Sequence, residues 1–180
     1  MLKITVPGQE MWNEAEQEFI YTKDQDLLLE HSLLSISKWE SKWCKPYLSN
    51  REKTIDETLD YIRCMTITPN VSPDVYIRLS SENVDEIVNY INAPMTATTF
   101  TQTDKNTVKG EQITADLIYY YMVTFHIPFE CEKWHINRLI TLIRVCSEKS
   151  QPNKKMSKGE IMRRNAELNA KRKKELNTRG

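Results

Sequence analysis

The strongest hydrophobic pattern in the chain lies between residues 113 and 148, where a proline separates two helical segments. The first segment, ITADLIYYYMVTF, carries one charge, Asp116, and is apolar on nearly every side. A helix of this kind belongs in the middle of a core or in a membrane. The second segment repeats apolar residues at three- and four-residue steps from Ile136 to Cys146, which is typical of a helix packed on one side. Because Pro128 cannot continue the first helix, the pattern predicts a helical hairpin whose first helix is central.

Short apolar runs at the amino terminus predict a small antiparallel β element. Residues 2–6, LKITV, form a strand candidate that Pro7 and Gly8 close as a turn. Residues 18–22, EFIYT, form a second candidate, and residues 26–30, DLLLE, suit either a third strand or the start of a helix.

Three further helices are predicted between this element and the hairpin. The first spans residues 32–44, a second opens with a capping box at Thr54 and Glu57, and a third follows Ser81, with a short helix from Pro73 to Leu79 before it. Their predicted inner faces are Leu33, Ile36, Trp39 and Trp43 in the first, Ile55, Leu59 and Ile62 in the second, and Val84, Ile87, Val88 and Ile91 in the third. The threonine-rich residues 95–110 predict an extended loop or an irregular hairpin. The fold class is therefore mainly α: a helical bundle around the central hairpin, with the β element at one end and a basic helix at the other.

Two tryptophans in the first of these helices have two interpretations. Trp39 and Trp43 either dock the helix on the core, or one of them faces a partner, since tryptophan is enriched at binding hot spots.

Charge divides the chain into an acidic body and a basic tail. The net charge is zero, but residues 151–180 hold ten Lys or Arg against three Glu, a net +7, so residues 1–150 carry −7. Residues 1–150 are predicted to be the helical globular domain. In the tail, Ser157 and Glu160 form a second capping box that opens a helix to about Lys174. Because the apolar stripe of that helix is thin, the tail is either a solvated end or a segment that folds onto a partner.

The basic tail leaves three hypotheses: a solvated end, a nucleic-acid contact and a protein partner. An acidic body would repel phosphate, and the tail has no aromatic side chain for base stacking. A cationic helix instead complements an acidic helical surface, on another protein or on a sister subunit of a homo-oligomer. The candidate contact residues are Lys154, Lys155, Lys158, Arg163, Arg164, Lys171, Arg172, Lys173 and Lys174.

Motifs for catalysis or cofactor binding are missing from the sequence. The four glycines are dispersed, which excludes glycine-rich phosphate loops, and neither G-x-S-x-G nor H-E-x-x-H occurs. Cys131 and His135 lie four residues apart and could share a metal or form a nucleophilic pair, but a paired ligand set and an orienting acid are lacking. The prediction is a protein without enzymatic activity, metal or cofactor, in which these residues are a buried thiol and a hydrogen-bonded histidine.

Location is suggested by three further features. No apolar run reaches the roughly 18 residues of a membrane span. The first residues, MLKITVPGQE, do not form a signal segment, and the four cysteines lack paired spacing, which favours reduced thiols. We therefore expect a cytoplasmic protein with no membrane contact.

Several stretches of the chain resemble proteins encoded in the tail gene cluster of long-tailed bacteriophages. The likeness lies in EHSLLSISKWESKW, NAPMTATTF, IPFECEKWHINRLITLIRVC and KKMSKGEIMRRNAELNAKRKKELNTRG, and it runs over most of the chain. The resemblance implies a tail assembly chaperone in the host cytoplasm. Such a chaperone keeps the tape-measure protein soluble until tail-tube subunits polymerise around it, so the tail-tube protein is a second candidate partner. The alternatives are a structural protein retained in the virion and a small nucleic-acid-binding protein that uses the basic tail.

Overall fold

Four short strands open the fold and a series of helices follows. The structure is a computed structural model that describes residues 1–14, 17–100, 112–150 and 158–176, in two compact units, Met1–Cys146 and Ser147–Gly180. It is mainly helical with a small antiparallel β element at the amino terminus, which confirms the predicted fold class. The elements are β1 (Leu2–Val6), β2 (Glu10–Asn13), β3 (Glu18–Tyr21), β4 (Gln25–Leu29), α1 (Leu33–Trp43), α2 (Ile55–Met65), α3 (Asp74–Ile77), α4 (Ser81–Asn92), α5 (Ala115–Thr124), a 3-10 helix (Phe129–Lys133), α6 (Ile136–Ser150) and α7 (Lys158–Leu176).

The amino-terminal strands form two separate antiparallel pairs. Strand β1 pairs with β4, from Leu2 opposite Leu29 to Val6 opposite Gln25. Strand β2 pairs with β3 as a hairpin. Strands β1 and β3 are where the sequence predicts them. The third candidate, residues 26–30, corresponds to strand β4 rather than to a helix start, and β2 was not predicted.

Strand β4 is bonded along both edges. On the edge away from β1, strand β4 forms an isolated bridge between Leu29 and Thr66. The N–H of Ile67 also donates to the carbonyl of Leu28 at 2.8 Å. The alternate residues Leu27 and Leu29 are fully buried. The β1–β4 pair is thereby attached to the segment that leaves α2.

Helix α1 lies at the centre of the first unit and contacts α2, α5 and the 3-10 helix. Ser32 caps its start and Cys44 ends it in a left-handed conformation, which confirms the predicted span.

The expectation that α5 is buried on every side is wrong, because Tyr120 is 61% and Val123 60% exposed. Helix α5 buries one stripe, Ala115, Ile118 and Met122.

The predicted inner face of α2 is correct at Ile62 and wrong at Ile55, while Leu59 is half-buried. The capping box of Thr54 and Glu57 is present, but Ile55 is 79% exposed. The buried face instead consists of Glu57, Asp60, Tyr61, Ile62 and Met65. The buried face differs from the predicted one because ion pairs allow the carboxylates of Glu57 and Asp60 to face inward.

Helix α4 differs from its prediction in the same way. Its cap is Ser80 rather than Ser81, in a reciprocal box with Asn83. Asn83 also donates to the carbonyl of Thr5 on β1. This bond turns Asn83, Ile87 and Tyr90 inward and leaves two predicted core residues, Val84 and Val88, exposed.

The second half of the predicted hairpin has the expected stripe. In α6, Ile136 and Leu139 are fully buried, and Ile140, Ile143 and Cys146 are half-buried. Asn137, a polar residue outside this stripe, donates to the carbonyls of Ile91 and Ala93 at 3.0 and 2.9 Å.

The remaining predictions concern loops and ends. The short helix α3 ends at Ile77, two residues before the predicted end. Residues 95–100 form neither helix nor strand, as predicted, whereas residues 101–110 and Ser157 lie outside the described residues. Among the helices that the structure describes, none is long and apolar enough to cross a membrane.

Candidate partner-binding surfaces

Helix α7 is exposed along its whole described length. It spans 19 residues, which corresponds to about 28 Å at 1.5 Å per residue. Each of its side chains that the structure describes is exposed, including the apolar Met162, Leu168 and Leu176. A helix that buries so little gains little stability from packing within its own unit, so contact with a partner would add to it.

The predicted contact residues lie on this helix or just before it. Arg163, Arg164, Lys171, Arg172 and Lys173 are exposed on α7, and Arg164 and Lys171 share a face because they are seven residues apart. Lys158 and Lys174 belong to the same helix, while Lys154 and Lys155 lie outside the described residues. The cations near the carboxyl end also stabilise the helix dipole, so part of their effect is internal to the helix.

The two tryptophans of α1 serve the fold. Trp39 is fully buried, and its indole Nε1 donates to the main-chain carbonyl of Glu57 at 2.9 Å. Trp43 is half-buried, stacks on Trp39 at 6.1 Å between ring centroids, and donates to the Asp60 carboxylate at 2.8 Å. Trp39 therefore has no surface left for a partner and docks the helix on the core. Trp43 also contacts the core, and its exposed part leaves the interpretation as a partner contact a prediction.

The charged residues facing the tryptophans are neutralised internally. The buried Glu57 carboxylate accepts from Lys45 at 2.8 Å, from Arg51 at 3.0 Å and from the N–H of Thr54 at 2.9 Å. These hydrogen bonds, that of Lys45 first, lower the pKa of Glu57 to about 2. The cluster consequently holds α2 against the segment after α1.

A second polar cluster contains two buried histidines. The rings of His31 and His135 lie 5.0 Å apart, His31 Nδ1 is hydrogen-bonded to the Tyr61 hydroxyl, and His135 Nε2 donates to the carbonyl of Tyr90 at 3.0 Å. Burial, and then the neighbouring His135, lowers the pKa of His31 to about 3. Burial also lowers the pKa of His135. Both rings are therefore neutral at neutral pH.

The Cys131 and His135 pair has the features of a structural pair. The Cys131 thiol is buried, and burial raises its pKa, which disfavours the nucleophilic thiolate. Within the described ranges, no group of three His, Cys, Asp or Glu side chains is placed to hold a metal ion.

A cleft of about 500 Å³ lies beside α1 and the end of α2. Leu34, Lys38, Cys64 and Met65 are among its lining residues. Burial raises the pKa of the Cys64 thiol, so the cleft offers volume for a ligand but a poorly activated nucleophile.

The β2–β3 hairpin has an exposed aromatic surface that was not among the predicted sites. Trp12, Phe19 and Tyr21 are 52%, 56% and 71% exposed. Trp12 lies opposite Phe19, with their rings 4.9 Å apart in a T-shaped arrangement, and Tyr21 lies opposite Glu10. Because residues two apart on a strand share a face, these four side chains lie on one side of the hairpin, here called the hairpin aromatic face. The alternation of residues 10, 12, 19 and 21 is the sequence signal for it.

Comparisons of the chain with protein-family models, with curated proteins and with solved structures give no match. The surfaces described above are therefore the basis for inferring function.

Proposed function

We propose that this protein is a tail assembly chaperone of a long-tailed bacteriophage, which binds the tape-measure protein and assists assembly of a non-contractile tail. The observation that carries the proposal is α7, a helix of 19 residues whose described side chains are all exposed. The resemblance of the sequence to tail-cluster proteins supplies the biological setting.

The chemistry of α7 fits a helical partner of opposite charge. Seven Lys or Arg stand against three Glu in residues 158–176, a net charge of +4. Between the cations, Met162, Leu168 and Leu176 present apolar surface to solvent. An acidic amphipathic segment of a long helical protein would neutralise the cations and cover these apolar side chains at once.

Co-expression with the tape-measure protein of the same phage tests the proposal. The full chain should raise the soluble yield of the tape-measure protein, and the chain ending at residue 150 should not. The double reversal Arg163→Glu with Lys171→Glu should act like the truncation, because both cations are exposed on α7. The matched control reverses Lys23 and Lys133, two exposed cations of the first unit, and should keep full activity. Equal yields with and without the full chain would rule out the proposal.

A structural protein retained in the virion is the second candidate. The described residues of β2 and β3 pair only with each other, so each strand has an outer edge that a neighbouring subunit's strand could extend. Mass spectrometry of purified virions separates the two functions. Stoichiometric presence favours the structural protein, whereas absence from the particle favours the chaperone.

Nucleic-acid binding through α7 is distinguished by the salt dependence of its affinity. A complex held by phosphate contacts weakens steeply as salt rises. No retention of the full chain on immobilised DNA or RNA at low salt would remove this alternative.

A further inference from the structure

The hairpin aromatic face combines exposed rings with uncompensated negative charge. Residues 9–22 contain four glutamates and no lysine or arginine. Glu10, Glu14 and Glu18 are exposed, and none of them forms an ion pair within the described part of the chain. Glu10 lies on the hairpin aromatic face itself, whereas Glu18, opposite Asn13, lies on the other face of the hairpin. The Tyr21 hydroxyl is hydrogen-bonded to the Glu10 carboxylate, and this bond raises the pKa of Tyr21.

The base of the hairpin is fixed to the rest of the first unit. Arg78 donates from Nη1 to the carbonyl of Pro7 at 2.8 Å and to the hydroxyl of Thr22 at 3.1 Å. The N–H of Gly8 donates to Asp24 at 2.8 Å, and the N–H of Thr22 donates to the carbonyl of Gln9 at 2.9 Å. A fixed base means that the face is presented without the entropy loss of ordering a free loop.

We infer that the hairpin aromatic face is a docking surface for a lysine- or arginine-bearing segment of a partner protein. A guanidinium or ammonium group over Trp12 would gain cation–π attraction while pairing with a neighbouring carboxylate such as Glu10. This inference does not depend on the function proposed for α7.

Charge excludes the other classes of occupant. Phosphate groups of nucleic acid or of an anionic lipid surface would be repelled by the glutamates. A purely apolar partner would bury Glu10 beside the rings without a counter-charge, which is unfavourable. A cationic segment can form cation–π contacts with the rings and ion pairs with the carboxylates at the same time.

Titration of the full chain with an octa-arginine peptide at low salt tests the inference, with octa-glutamate as the reference peptide. Binding of octa-arginine should weaken about tenfold in Trp12→Ala and in Glu10→Gln, because both side chains lie on the hairpin aromatic face. A tenfold change corresponds to about 1.4 kcal/mol, within the range for one cation–π or charge-assisted contact. Unchanged thermal midpoints of both variants would show that the fold is intact.

Two matched controls make the result specific. Glu86→Gln removes one exposed carboxylate from α4, and Tyr120→Ala removes an exposed ring from α5. Both controls should bind octa-arginine as the unaltered chain does. Equal weakening in the acidic control, or no binding by the unaltered chain, would overturn the inference. If the unaltered chain self-associates and Trp12→Ala dissociates it, the occupant is a second copy and the assignment to a separate partner is wrong.

Discussion

The indole nitrogen of Trp39 donates to the main-chain carbonyl of Glu57 across 2.9 Å, and this bond joins α1 to α2 inside the core. Trp39→Phe should lower the free energy of unfolding by about 1–3 kcal/mol, because a buried carbonyl loses a donor and the smaller ring leaves a void. Urea denaturation measures the change. Trp12→Phe, at an exposed tryptophan, is the control and should leave the midpoint unaltered.

Glu57 makes the fold sensitive to acid. Its pKa is lowered from 4.5 to about 2, so its contribution is present above pH 4.5 and is lost as pH falls towards 2. Glu57→Gln should be less stable than the unaltered chain at pH 7 and should lose less stability between pH 4.5 and 2. Thermal denaturation across this pH range measures the difference. Identical pH profiles for the two chains would show that the pairs with Lys45 and Arg51 do not contribute.

The buried His31 predicts a second acid transition at higher pH. Its pKa falls from 6.5 to about 3 on folding, so the unfolded chain takes up a proton first as pH drops below 6.5. The contribution of His31 to the free energy of unfolding is therefore fully present above pH 6.5. It declines towards pH 3, by up to about 1.4 kcal/mol for each pH unit. His31→Asn should flatten the decline between pH 6.5 and 4.5, a window above that of Glu57. His126→Asn, at an exposed histidine, should keep the original slope.

Close approach of two backbone segments requires glycine at position 8. A Cβ atom built on Gly8 would overlap the carbonyl oxygen of Thr22 at the base of the hairpin, and that atom belongs to the backbone and cannot rotate away. Gly8→Ala should lower the thermal midpoint and speed amide exchange at Thr22, whose N–H bonds to Gln9. Gly159→Ala in α7 is the control and should leave the first unit unaffected.

Removal of residues 151–180 should leave the thermal midpoint of the body nearly unchanged, with a shift of roughly 2 °C or less. The truncation spares α6, which ends at Ser150, and the described side chains of α7 are exposed. Differential scanning calorimetry of the two chains makes the comparison. A much larger fall would show that the tail contributes to the core.

Sequence patterns predicted helix positions better than helix orientation. The ends of α1 and the capping box of α2 depend on local bonds, which the residues at Ser32, Thr54 and Glu57 specify directly. Hydrophobic periodicity predicted the wrong inner face where a polar side chain bonds to a residue distant in sequence. Asn83 bonds to Thr5, and so displaces valines from the inner face of α4.

The candidate surfaces likewise differ in whether local sequence or tertiary contacts determine them. The basic character of α7 is visible in composition alone. Trp39 and Trp12 differ in role although both are tryptophans, because Trp39 is buried and bonds to α2 whereas Trp12 is 52% exposed on the hairpin. Exposure of that kind depends on tertiary contacts, which one sequence does not show.

The double attachment of β4 sets an order of events during folding. Helices α1 and α2 follow one another closely along the chain, so their contact closes a short loop and should form early. The bridge from Leu29 to Thr66 can form only once α2 has brought Thr66 back beside β4. Strand β1 meets β4 across a shorter stretch of chain, from Val6 to Gln25, so the β1–β4 pair should form first and then attach to the end of α2 as a unit. Because Ile4 and Val6 are buried in the core, β1 should stay protected from amide exchange as long as α2 does.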